Sequence, residues 1–400
     1  MPVTFRDLIA PLERGRFLDD FWTKKAVHLK EPGRTFDDVF GWRALDAVVN
    51  SRDLTFPKVK VSQNDKPVPP ESFTSEAGEQ RLVSAERLMQ LFADGASFGI
   101  TGADANWPPL RAIVECMYDT FLESVHTNVY CSPPNTQGFQ CHFDLHEVFV
   151  MQVEGEKHWR VFLPTVESPA QSWRPEDAPG ASVPPYLDVV LQKGDVLYVP
   201  RGHWHYAVAL ASTSVHVTVG VTCHKGTAFM DWLASEVAED PLWRQNVPLL
   251  DAAVRDGRFA LPEEWCVFTE ELKSALMRKL SERDLVERFC KATLRDAPPL
   301  SRVSVPRLAD GFDVDGFVFE RPAGRRHFVE RRGDGSVALI AGDREVELDA
   351  NDVEFFSRLF AAETFTAADI RAWRPDADPT EVAAVLGELV RSGLLDACPR

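Results

Sequence analysis

The sequence predicts a mostly β domain, a compact antiparallel barrel or sandwich, set between helical segments. Two observations carry this. Residues 126–222 hold seven short runs rich in Val, Phe, Tyr and Thr, namely HTNVYCS, HEVFVMQVEG, KHWRVFLP, LDVVLQKG, DVLYVPRG, HYAVALA and SVHVTVGVT, parted by Gly, Pro and Asn turns. On either side of them, apolar residues recur at the spacing of an amphipathic helix.

The flanking elements follow in order. LERGRFLDDFWTKK places aromatic and apolar residues at helical spacing, and KVSQNDKPVPPESF reads as a polar, Pro-rich loop. PPLRAIVECMYDTFLESV is a helix entered through Pro108 and Pro109, with Leu110, Ile113, Val114, Met117 and Phe121 on one face. After the β region, TAFMDWLASEVAE, PEEWCVFTEELKSALMRKL and ERDLVERFCKATLRD return to helical patterns. DAPPLSRVSVP reads as a linker. The remainder combines strand-like FVFERPA and SVALIAGDREVELD with helical DVEFFSRLFAA, TAADIRAW and PTEVAAVLGELVRSGLLD, a layout that resembles a winged helix. Three parts are therefore expected: 1–225, 226–300 and 301–400.

The 400 residues are 44% hydrophobic and 26% charged, which suits a globular chain with a substantial core. A formal charge of -17 argues against a general nucleic-acid surface but is compatible with a basic polypeptide partner. The last helical run is acidic to neutral, so a protein contact is expected there rather than DNA. Seven scattered cysteines without a C-x-x-C pair suggest neither disulfides nor a thiolate zinc site. The opening MPVTFRDLIAPLERGRF lacks an apolar leader and no run is long enough to span a bilayer, so a cytoplasmic location is expected.

Chemistry is concentrated in CHFDLHEVFVMQVEGEKHWRVF, which contains His142 and Asp144 as an H-x-D pair. Residues two apart on a strand share a face, so imidazole and carboxylate can converge. Some sixty residues later, GDVLYVPRGHWHYAVA offers His203 and His205. The spacing G-x5-P-x-G-x2-H from Gly194 selects His205 and leaves His203 in the turn, lining the mouth or reaching solvent. His146 shares the parity of the pair but lies further along the strand. Two histidines and one carboxylate on one face of an octahedron suit Fe(II) and leave positions open, and a tetrahedral zinc site would ordinarily add a further His or Cys.

H-x-D followed by the P-R-G-x-x-H turn resembles the JmjC branch of the cupin superfamily, and VEGEKHWRVF is similar to the ribosomal oxygenases within it. The resemblance implies a double-stranded β-helix (cupin) barrel of the JmjC type with helical N-terminal elements, a helical dimerisation segment and a C-terminal winged-helix-like domain. It implies Fe(II) on His142, Asp144 and His205, and 2-oxoglutarate as co-substrate with its distal carboxylate on Lys157. Tyr130, Asn128 and Thr218 are implied as further co-substrate contacts, with His216 on the parity of Thr218. A buried ammonium requires an anionic partner, and a dicarboxylate chelating a metal at one end presents its other end to a cation.

The activity so implied is hydroxylation of a polypeptide side chain with release of succinate and CO2 by a homodimer. The substrate is a ribosomal protein or a small peptide tailored as a natural product. Lysine demethylation is a different outcome of the same chemistry, and a ligand-binding cupin without activity is the alternative from another class.

Overall fold

A computed structural model of the chain describes residues 3–51, 54–170, 179, 182–249, 254–255, 258–259, 262–296, 314–322, 326–342, 344–348, 353–362 and 364–400. The linker DAPPLSRVSVP lies, except for Asp296, outside them. The residues fall into two compact units, Met1–Cys223 and His224–Arg400.

The seven β runs of the sequence all form strands. With three N-terminal additions and a short hairpin arm they are numbered β1 (Val27–Leu29), β2 (Val59–Gln63), β3 (Lys66–Pro67), β4 (Ser97–Thr101), β5 (Ser124–Ser132), β6 (Glu147–Glu154), β7 (Lys157–Phe162), β8 (Leu187–Leu191), β9 (Val196–Val199), β10 (Trp204–Ala209) and β11 (Ser214–Thr222). The large sheet runs β1-β9-β6-β11-β5-β4-β2-β3 and the small one β8-β7-β10. Every pairing in both is antiparallel.

The large sheet is covered on both faces, which explains why β6 reads EVFVMQVE without alternation. One face, with Phe149, Met151, Val217 and Val219, packs on the N-terminal helices. Phe17, Trp22 and Tyr198 surround Phe149 there, and Trp22 stacks on Phe121 at 4.5 Å. On the other face Val148, Val150 and Leu197 meet Trp159, Val161 and Leu191 of the small sheet. The helix Pro108–Phe121 buries Leu110, Ile113, Val114 and Met117 as its periodicity indicates, and ends where Leu122 turns left-handed.

Two expectations needed correction. KVSQNDKPVPPESF is not a plain loop: β2 and β3 form a hairpin, with Ser62 opposite Pro67 and Gln63 opposite Lys66. Asn64 and Asp65 make its turn at φ 52° and 60°, the conformation a two-residue hairpin loop demands. Also missed are β1, a three-stranded sheet of Thr55–Phe56, Gln80–Val83 and Thr74–Ala77, and β4, a short stretch buried from Ala96 to Ile100.

Gly194 opens the turn before β9 with φ +91°, and a Cβ there would lie 2.0 Å from the Arg34 carbonyl oxygen. The Arg34 guanidinium donates back to the Gly194 carbonyl at 2.6 Å and to Leu29 O at 2.7 Å, tying the N-terminal segment to this turn.

The second unit contains the helices Gly226–Val237, Glu263–Leu280 and Leu285–Arg295. Its C-terminal part holds an antiparallel meander of His327–Arg331, Val337–Ala341 and Arg344–Leu348 and the helices Val353–Ala361, Ala367–Trp373 and Pro379–Arg391. Phe317–Glu320 pairs with both Thr364–Thr366 and Asp396–Pro399. Phe319, Leu339, Leu359, Ile370 and Leu386 share a separate core. Among the described residues no helix is long and apolar enough to cross a membrane.

Candidate metal and co-substrate site

Between the two sheets lies a cavity of about 570 Å³ whose lining includes His142, Asp144, His205, Lys157, Tyr130, Asn128 and Thr218. The sequence-predicted site residues are thus brought to one place.

The segment carrying His142 and Asp144 is fastened to the segment carrying His205 by its own backbone. His142 N–H donates to His205 O at 3.1 Å, and His205 N–H returns to His142 O at 2.7 Å. Gly202 N–H donates to Asp144 O at 2.9 Å, so the P-R-G turn is held against the backbone of the segment that carries the carboxylate. One ligand atom from each of His142, Asp144 and His205 lies within 4.8 Å of the others, with His205 Nε2 and Asp144 Oδ2 3.4 Å apart.

Both imidazoles are oriented for a metal. His142 Nδ1 donates to Gln140 O at 2.7 Å and His205 Nδ1 donates to His203 O at 3.0 Å. Because a carbonyl oxygen only accepts, the proton resides on Nδ1, and each Nε2 keeps its lone pair for coordination. Burial holds the His205 pKa down to about 4, so this ring is neutral at pH 7. For Asp144, burial works upward, but His205, His142, His146 and His126 outweigh it and the carboxyl stays below its ordinary range. Two imidazoles with one carboxylate are the donor set that fits Fe(II).

Behind the triad, Lys157 is 2% exposed. Its Nζ donates to Ser132 Oγ at 2.9 Å and meets His216 Nδ1 at 3.2 Å, and it has no carboxylate partner among the described residues. Burial lowers its pKa to about 8, which leaves it a cation at pH 7. Tyr130 lies flat on His216, with centroids 5.0 Å apart, and burial raises its pKa, so it stays a neutral hydroxyl. Register places His216 opposite Tyr130 and Thr218 opposite Asn128, so these four share one patch of the β5–β11 pair.

A model of the JmjC domain matches residues 105–229. Residues 105–229 are a JmjC domain. The chain is similar to the bifunctional lysine-specific demethylase and histidyl-hydroxylase NO66 of Drosophila willistoni, at 31% identity over 218 residues, covering 54% of this chain and 28% of that protein. It is also similar to ribosomal oxygenase 1 of Danio rerio, at 29% identity over 261 residues, covering 61% and 46%. The chain therefore spans less than half the length of these relatives. Among solved structures it resembles E. coli YcfD, with a TM-score of 0.58 at 21% identity, covering 97% of this chain and 98% of that one. A further structure, of YcfD described as a ribosomal oxygenase in complex with cobalt and 2-oxoglutarate, matches with a TM-score of 0.56 at 21% identity and the same coverage. The last two comparisons extend the shared fold beyond the JmjC domain to almost the whole chain.

Of the other histidines, His203 takes a place different from that expected. His203 neither lines the cavity nor reaches solvent: it is 4% exposed and its Nδ1 meets the Tyr186 hydroxyl at 2.7 Å. His146 lines the cavity and packs edge-on against His126 at 4.8 Å. The two rings fit only because β11 carries Gly220 beside them, where a Cβ would come within 2.5–2.7 Å of both. The Asn128 side chain bonds the Tyr130 hydroxyl and accepts from Gly102 N–H at 3.2 Å, so it positions Tyr130.

Three contributors escaped the sequence reading. Ser132 is two residues beyond Tyr130 on the same strand face, so parity could have found it. Trp159, 4% exposed between His205 and His216, is two residues beyond Lys157. The β2–β3 hairpin adds Lys60, Ser62, Asp65 and Pro67 to the lining, and no spacing rule links it to the triad.

Proposed function

We propose that the chain is an Fe(II)- and 2-oxoglutarate-dependent oxygenase that hydroxylates a side chain of a polypeptide. The observation that carries this reading is Lys157, a buried cation without a carboxylate partner among the described residues, in a cavity that also holds two oriented imidazoles and a carboxylate. His142, Asp144 and His205 would hold the iron; Lys157, Tyr130 and Thr218 would receive the far carboxylate of 2-oxoglutarate, with Asn128 steadying Tyr130. The bound pair supplies oxidation of a C–H bond to C–OH, with 2-oxoglutarate and O2 converted to succinate and CO2. The chain's own part is to fix the imidazole tautomers, supply the one anionic ligand, neutralise the distal carboxylate and line a cavity that keeps water away.

The names of the relatives support a protein substrate such as a ribosomal protein, and hydroxylation or lysine demethylation, with a small peptide tailored as a natural product as the alternative. Purified chain supplied with Fe(II), ascorbate and 2-oxoglutarate should release succinate, read by proton NMR. Failure to bind or consume 2-oxoglutarate in the presence of Fe(II) or Co(II) would reject the oxygenase in favour of a ligand-binding cupin.

The division 1–225, 226–300 and 301–400 accompanies this reading, with the middle segment as a dimer element and the last as a winged-helix-like unit for protein contact, in the cytoplasm. Val267, Met277 and Val286 are 54%, 62% and 66% exposed on the helices Glu263–Leu280 and Leu285–Arg295, an apolar surface that pairing with a second copy would cover. Light scattering at micromolar concentration should return twice the 44.8 kDa chain mass, and a monomer mass would contradict the dimer.

A further inference from the structure

We propose that Tyr186 is a positioning residue for the metal ligand His205 and acts on it through His203. The inference rests on the oxygenase reading and concerns the support of the same site.

His205 keeps Nε2 for the metal because its Nδ1–H is held by the His203 carbonyl oxygen at 3.0 Å. The direction of that carbonyl is set by the backbone of His203, which follows Gly202. Gly202 stands at φ +82°, one of many conformations a glycine adopts, so it lends the turn little stiffness of its own. The stiffness comes from outside. The Tyr186 hydroxyl meets His203 Nδ1 at 2.7 Å, and the two rings pack edge-on with centroids 5.6 Å apart. Ala26 N–H donates to the same hydroxyl at 2.9 Å, which leaves the phenolic proton for His203 Nδ1. Tyr186 is itself fixed, since its N–H donates to Val161 O of β7 at 2.9 Å. One hydroxyl therefore joins the segment before β1, the residue that enters β8 and the turn that enters β10.

The neighbours of His203 are held from the same side. A Cβ on Gly202 would come within 2.9 Å of Pro169, and Trp204 Nε1 donates to Thr165 Oγ1 at 3.0 Å. Trp204 in turn stands edge-on to Phe143, the residue between His142 and Asp144, at 4.8 Å. Residues 202, 203 and 204 are thus each gripped by the connection between β7 and β8, and the middle grip leads directly to a ligand imidazole. The His203 ring is buried and does not line the cavity, so it serves the site through its backbone.

The test titrates the whole chain with Co(II) in the presence of 2-oxoglutarate and reads the visible d–d absorption of the metal. A urea unfolding curve of each metal-free variant runs alongside. Tyr186→Phe removes the hydroxyl and keeps the ring. It should weaken Co(II) binding about 3–10-fold, less than the roughly 10–100-fold lost with a direct outer-shell partner, and should shift the d–d bands. His203→Leu, which lacks an acceptor, should do the same. His203→Asn, whose Oδ1 takes the place of Nδ1, should restore the affinity and bands of the unaltered chain. On the His203→Leu background, Tyr186→Phe should have no further effect on the metal. Unaltered affinity and bands in Tyr186→Phe, with only the urea midpoint lowered, would reduce Tyr186 to a structural residue and overturn the proposal. Additive losses in the double variant would overturn it too. So would a His203→Asn chain that behaves like His203→Leu, a comparison that stands even if Tyr186→Phe fails to fold. Binding of Co(II) by the unaltered chain is read in the same titrations. Its absence would reject the metal site and the oxygenase with it, whereas its presence with indifferent variants would reject only the role of Tyr186.

Discussion

Asp144→Ala is expected to bring 2-oxoglutarate turnover to background and to weaken Co(II) binding by more than about 100-fold, since loss of a mere outer-shell partner already costs roughly 10–100-fold. The reason is electrostatic as much as geometric. Asp144 is the one anion of the triad, and His205, His142, His146 and His126 all act on it. Without it a divalent cation would face a cluster of imidazoles and no compensating charge. The variant should nevertheless fold, because the contact holding this segment to the P-R-G turn is made by the Asp144 carbonyl, which alanine retains. Metal titration followed by succinate release, alongside a urea unfolding curve, separates the two effects. Full turnover in Asp144→Ala would remove the carboxylate from the metal site.

The same backbone contacts explain why the triad was legible in the sequence. His142 and Asp144 lie just ahead of β6 and not on a strand, where His142 pairs with His205 through an isolated bridge, and the Gly194 turn followed by Pro200 and Gly202 sets the length that brings His205 opposite. The H-x-D spacing and the fixed turn are both short-range signals. The strands were legible for a related reason: β6 and β11 are buried on both faces and read as continuous apolar runs. The β2–β3 hairpin was not, because its second strand is two residues long and contains Pro67, and its Asn-Asp turn was hidden in a polar, Pro-rich stretch. Its place beside the triad follows from sheet order, with β4 and β5 intervening, and nothing local in KVSQNDKPVP encodes that. His203 shows the same limit, since its burial depends on Tyr186, a residue from the far end of a long connection.

Lys157→Met is expected to produce opposite effects on co-substrate binding and on stability. At neutral pH 2-oxoglutarate affinity should fall roughly 10–100-fold, the magnitude of a charge-assisted hydrogen bond from a buried ammonium. The chain without co-substrate should instead become more stable. Burial places the folded pKa of Lys157 near 8, below its ordinary 10.5. Below pH 8 the amine is charged in both the folded and unfolded chain, and the full desolvation cost is present. Between pH 8 and 10.5 the unfolded chain holds the proton that the folded chain has released, so this residue's contribution makes stability rise with pH. The gap corresponds to a penalty on the order of 3 kcal/mol at pH 7, and methionine, similar in length and uncharged, escapes it. Urea midpoints should therefore show a gain for Lys157→Met at pH 7 that shrinks by pH 10, and a gain independent of pH would contradict a buried charged lysine. Co-substrate affinity of the unaltered chain should move the other way, declining as pH rises past about 8 and the ammonium loses its proton. A residue kept for stability would not carry such a penalty, whereas one awaiting a dicarboxylate recovers it on binding.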